Sequence, residues 1–275
     1  MSQRARRGSF RQRRQADLCV IVLAMLMLLN GCGSADNRVL EETFERIYTI
    51  EPSARLTIQN RDGVVLIYGS DTGEMRIDAV KKAYSRERLN QIGIDVSTKP
   101  GAISVISKFP PKPNWSLSDR SGTVDYTIVV PATAGISALE LDAGEILLEG
   151  IRGREVRARL GDGRILARNC FTSMDLTVTR GTIKLAYDWW EEEKFAVRAT
   201  MTQGNAWVSS PSDSAFHLLA HAAHGKIAND FNNLPVSANS SIREMKIDQI
   251  INGGGQATVE VRVERGEIKI AEANP

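Results

Sequence analysis

The chain has 275 residues, 42% hydrophobic and 25% charged, with 22 glycines. That is ordinary globular composition, and it excludes whole-chain disorder, collagen and a polytopic membrane protein. The formal charge of +2 misleads, because residues 1–31 carry six arginines and one acid; the 29 basic and 32 acidic residues that follow sum to about −3 and give no ground for nucleic-acid binding.

The first sixteen residues are basic and polar, and residues 18–29 form a 12-residue apolar run. A bilayer span takes roughly 20 apolar residues, so this run has the size of a signal-peptide core behind a positive n-region. It ends in Leu29-Asn30-Gly31-Cys32. That ending resembles the lipobox of bacterial lipoproteins, where the peptidase cuts before a cysteine whose thiol carries a diacylglycerol. Residues 1–31 are therefore expected to be a signal peptide, Cys32 the lipidation site that joins the protein to the membrane, and residues 32–44 a tether. Gly33, rather than an aspartate, follows the cysteine; in a Gram-negative host this resembles sorting to the outer membrane. With Cys19 in the leader and Cys32 acylated, Cys170 remains alone, without a disulfide partner. Its surroundings offer no recognisable His and acid frame, so it reads as a small buried hydrophobe.

From residue 45 onward one pattern recurs. Apolar residues stand seven, five and three places before a glycine and two and four places after it. The glycines are Gly63, Gly144, Gly163, Gly181, Gly204, Gly225 and Gly266. Around Gly163 the columns are Val156, Ala158, Leu160, then Ile165, Ala167; around Gly181 they are Met174, Leu176, Val178, then Ile183, Leu185. Period 2 on both sides of a turn means two short strands per repeat, each with one buried face. A repeat of this size cannot bury its own apolar face, but stacked repeats form a continuous core. The expectation is an all-β, single-domain parallel β-solenoid over residues 45–272, with coils of about 18–23 residues stacked in chain order. The 81 residues from Gly63 to Gly144 count as about four coils, and the 41 from Gly225 to Gly266 as about two. Helical periodicity is nearly absent, with residues 85–92 as the best short candidate. Residues 233–251 read as a longer loop and coil.

The run Leu56-Thr57-Ile58-Gln59-Asn60-Arg61-Asp62-Gly63-Val64-Val65-Leu66-Ile67-Tyr68-Gly69 resembles the opening coil of the bacterial family named "putative adhesin". The runs Val124-Asp125-Tyr126-Thr127-Ile128-Val129-Val130-Pro131 and Glu260-Val261-Arg262-Val263-Glu264-Arg265-Gly266 are also similar to it. The resemblance covers residues 45–272 and implies a secreted or lipid-anchored β-solenoid with an adhesive or scaffolding role. It carries no catalytic motif.

His217, His221 and His224 are the three histidines. On a helix their spacing would suit a metal. On strands His217 and His221 face outward about 13 Å apart, too far to share one ion. No metal or other cofactor is expected. Arg157 and Arg159 point outward in the repeat register, Arg159 beside Glu140, either as cross-strand pairs or as a patch for phosphates or acidic glycans. Thr177 over Thr200 reads as a threonine ladder. Two insertions break the period and carry tryptophans, one with Trp115 among prolines and one with Trp189-Trp190 before three glutamates. Neighbours on an extended chain alternate faces, so at least one of Trp189 and Trp190 is expected outside. Trp115, Trp189 and Trp190 are the candidate partner-binding residues, for a glycan or an envelope protein. The favoured function is a non-enzymatic scaffold or adhesion module of the cell envelope; the alternatives are a glycan- or envelope-polymer-binding lipoprotein and, last, a polysaccharide-active enzyme, which would need a carboxylate pair that the outer face does not visibly offer.

Overall fold

The computed structural model describes residues 38–111, 122–231 and 245–273. The strands in chain order are β1 (Leu40–Thr49), β2 (Arg55–Ser70), β3 (Glu74–Ala83), β4 (Gly93–Lys99), β5 (Ala102–Lys108), β6 (Thr123–Pro131), β7 (Gly135–Glu149), β8 (Val156–Arg168), β9 (Met174–Ala186), β10 (Ala196–Pro211), β11 (Phe216–Asn229), β12 (Met245–Ile251) and β13 (Thr258–Ala273). Among the described residues a helix, α1 (Arg86–Gln91), follows β3, with the Ser85 side chain accepting from the Arg88 amide. All thirteen strands join one sheet of mixed direction, so the protein is all-β.

Seven strands carry a glycine near the middle. They lie parallel in the order β2, β7, β8, β9, β10, β13, β11, with the glycines in register: Gly63 beside Gly144, then Gly163, Gly181, Gly204, Gly266 and Gly225. Chain length forces a fold in each strand. β8 has 13 residues, which would span about 43 Å if straight. The connection from Arg168 back to Met174 reaches only about 21 Å. Yet Val156 pairs with Met174 and Arg168 with Ala186. The strand must therefore double back at Gly163. The alternation slips by one residue there, from Val156, Ala158 and Leu160 to Ile165 and Ala167, all buried. Both limbs thus turn their apolar side to a common interior. The same columns are buried in the other glycine-bearing strands, from Leu56 and Ile58 through to Ile268 and Ile270, except that a bulge in β7 puts Ile136 inward in place of Ser137.

The expectation of a wholly parallel stack in chain order is corrected at three places. Gly63 does not sit four coils from Gly144, since β2 pairs directly with β7. The chain between them covers the other edge of β2, where β5 pairs with residues 55–59 and β6 with residues 65–70. β4 adds antiparallel to β5, β3 to β6 and β1 to β3. At the far end β12 adds antiparallel to the first limb of β11, where a longer loop and coil was expected. An antiparallel strand has the same two-residue alternation as a parallel one, so the pattern does not separate them. The third correction is order: β13, the last strand, inserts between β10 and β11. β1 also begins at Leu40, inside the segment expected as tether. The helix expected over residues 85–92 is present as α1.

Candidate functional site

Outward side chains form rows across the strands, because paired residues point the same way. On the first limb, Arg157, Asp175, Arg198 and Glu260 stand on successive strands and alternate in sign. They line a shallow groove of ≈ 410 Å³. Arg198 Nε donates to Glu260 at 2.9 Å, and Arg262 bonds the other carboxylate oxygen. Partial burial pushes Glu260 up, but Arg198 and Arg262 together hold its carboxyl below the usual range. Arg157 pairs with Glu155 at 2.8 Å. Arg159 stands opposite Glu140 in the ladder and is exposed, while Glu140 accepts from Gln59. Thr177 faces Thr200 as the repeat implied. Most of this face is thus already neutralised by its own neighbours.

The folded edge and second limb follow the same rule. Arg180 forks onto Asp162, Nε to Oδ1 at 2.6 Å and Nη2 to Oδ2 at 2.8 Å. Arg164 pairs with Glu145 at 2.7 Å and Arg168 with Asp188 at 2.7 Å. On the first limb of β11, His217 Nε2 lies 2.7 Å from Asp248 of β12. Among the described residues no three His, Cys, Asp or Glu cluster as metal ligands.

The connections between strands close the remaining side, and aromatic rings fill it. Phe171, Tyr187, Trp190, Phe195, Phe216 and Phe231 run along the stack, with Trp190 centroids 5.2 Å from both Tyr187 and Phe216. Trp190 is partly buried against the core, so of the candidate pair it is a packing residue. Trp189 is 47% exposed and donates to Glu191 Oε1 at 2.7 Å. Arg152 grips both oxygens of Glu191 and lies over the Phe171 ring. The hydrogen bond from Arg152 holds the Glu191 carboxyl below its usual range. The Tyr187 hydroxyl is buried without a hydrogen-bond partner among the described residues, and burial drives its pKa up. Burial also pushes the Cys170 thiol up to about 11, so it is a protonated core group rather than a nucleophile. Trp115 and Cys32 lie outside the described residues.

Sequence reasoning passed over Trp207, which is 42% exposed on β10. The signal was at hand: Ala206 and Val208 are inward columns, so the residue between them faces out.

No family model matches the chain, and no curated protein matches it in sequence. Among solved structures, the chain is similar to a "putative cell adhesion protein" from Clostridium sporogenes, at 16% identity and a TM-score of 0.49, over 84% of this chain and 100% of that one. It is also similar to a "putative adhesin" from Bacteroides fragilis, at 11% identity and a TM-score of 0.28, over 84% of this chain and 97% of that one. A "putative lipid binding protein" from Parabacteroides distasonis matches at 10% identity and a TM-score of 0.22, over 85% of this chain and 97% of that one.

Proposed function

We propose that the protein is an exported cell-envelope lipoprotein, acylated on Cys32, whose body winds as a β-solenoid and serves as a non-enzymatic scaffold or adhesion module. The observation that carries this reading is the glycine-registered parallel ladder of seven strands. A strand that doubles back at its glycine and returns one ladder step along is one turn of such a coil. Stacked turns give long, nearly flat outer faces, and here those faces are rows of side chains bonded to one another. A fixed flat surface suits recognition of another surface or polymer better than enclosing a small substrate, which needs a concave, largely apolar pocket. The leader and Leu29-Asn30-Gly31-Cys32 support the address, with the outer membrane as destination in a Gram-negative host. No helix among the described residues is long and apolar enough to cross a membrane, and a lipid on Cys32 would supply the attachment.

Within this reading Trp189 is the partner-facing member of its pair, and Arg159 the arginine of its row without an ion pair among the described residues. The anchor is tested by Cys32→Ala. Fractionated cells should hold the parent protein with membranes and release the variant, which should no longer take up labelled fatty acid. Unchanged membrane retention and labelling of the variant would remove the lipoprotein assignment.

A further inference from the structure

Trp207 stands apart from the paired side chains of the outer faces. Its direct neighbours in the ladder are Lys184 on β9 and Lys269 on β13, both exposed, each one strand spacing of about 4.8 Å away. Two residues farther along β10 on the same face is Ser209, between Ala186 and Ala271. Two residues back is Asn205, between Thr182 and Glu267, and its Oδ1 accepts from the Glu267 amide. The indole is therefore bordered by short side chains along one side, by polar ones along the other, and by an ammonium group at each end.

We propose that this patch binds a short segment of acidic glycan. The indole would stack on the apolar face of one sugar ring, and Lys184 and Lys269 would take carboxylates of the sugars on either side. The inference rests on the envelope-binding reading above and names the chemical class of its partner. Three observations converge on it. Trp190 is packed in the aromatic row and Trp189 is bonded to Glu191, but Trp207 combines exposure with no hydrogen-bond partner among the described residues. Arg164, Arg168, Arg180 and Arg198 are each neutralised by an acid. Lys184 and Lys269 have no ion pair among the described residues; Asp188 senses Lys184 only as the smallest of its influences, behind Asn169 and Arg168. Their charge is therefore available to a ligand, and charge-assisted bonds to carboxylate are the strong ones.

The surroundings disfavour other anionic partners. Single-stranded nucleic acid needs successive aromatic platforms along a basic groove, whereas this row has one ring and Glu267 beside it. An anionic bilayer would suit the half-buried Leu66, Leu147 and Leu166, which continue the Trp207 row. But beside those leucines Arg164 is paired with Glu145 and Arg168 with Glu149 and Asp188, which leaves neither arginine free to draw an anionic surface.

The test is affinity electrophoresis of the full chain in mild detergent through gels holding polygalacturonate, alginate, hyaluronate or neutral dextran. At least one acidic polymer should retard the protein and dextran should not. Trp207→Ala should weaken that retardation roughly tenfold, the scale of one aromatic stacking contact. Trp207→Phe should keep part of it, Lys184→Gln with Lys269→Gln should match the alanine variant, and Lys99→Gln, at an exposed lysine on β4, should leave it intact. Thermal unfolding of each variant, unchanged because the residues are exposed, keeps the comparison sound. No retardation by any of the three acidic polymers, or retardation indifferent to Trp207→Ala, would overturn the proposal. So would equal dependence on Trp207 in binding oligothymidylate or phosphatidylglycerol vesicles. Fractionation of Cys32→Ala reads the anchor separately, so failure of either result leaves the other standing.

Discussion

Gly163 has φ +134, and a Cβ there would come 1.8 Å from the Gly144 carbonyl oxygen. The obstacle is backbone, which cannot move aside as a side-chain end can, and the φ itself strains any L side chain. Gly163→Ala should therefore cost about 3 kcal/mol or more, seen as a lower denaturant midpoint with the slope unchanged; a midpoint within error of the parent would show that the corner tolerates a side chain. The tryptophan pair divides in the same way. Trp190 packs on Tyr187, Phe195 and Phe216, so Trp190→Ala should cost about 3 kcal/mol. Trp189 is 47% exposed, so Trp189→Ala should shift stability by about 1 kcal/mol or less. Thermal melts of the two variants check both; equal losses would contradict the packing described. Alternation alone required that one ring face out, but which one depends on the aromatic row. That row is assembled from connections far apart in sequence and has no local signature.

The columns before and after each glycine were legible residue by residue, because alternation and a turn glycine are both local signals. Neighbour order was not. Every glycine-bearing strand presents nearly the same apolar register, so Gly225 matches Gly204 in sequence as well as it matches Gly266, and only the whole chain decides. β13 supplies the partner on one side of both β10 and β11. Its Val259, Val261, Val263, Ile268 and Ile270 are all buried at 1% exposure or less. Each such side chain contributes roughly 1.5–3 kcal/mol of burial, so the strand's share rivals the 5–15 kcal/mol net stability of a typical domain. A chain ending at Gln256 should lose its single cooperative thermal transition, although β2 to β12 would all be present. A retained sharp transition would mean that β10 and β11 can pair without the inserted strand.

At the scale of the molecule, the parallel ladder is flanked by antiparallel strands at both ends, β3 and β4 on one side and, along the first limb of β11, β12 on the other. An open parallel edge would offer unpaired N–H and C=O groups to any passing strand, and terminal repeats of stacked proteins are commonly atypical for this reason. The outer rows are mostly self-neutralised, interrupted by Arg159, which has no ion pair among the described residues, by Trp189 at the aromatic corner, and by Trp207 between its two lysines. The most direct test incubates the full protein with peptidoglycan, lipopolysaccharide and acidic polysaccharides and records two readings from the same samples: protein retained on the polymer, and polymer fragments released. The expected result is retention by at least one of them with no new reducing ends or unsaturated products. Release of fragments with turnover would contradict it and identify the protein as a polysaccharide-active enzyme.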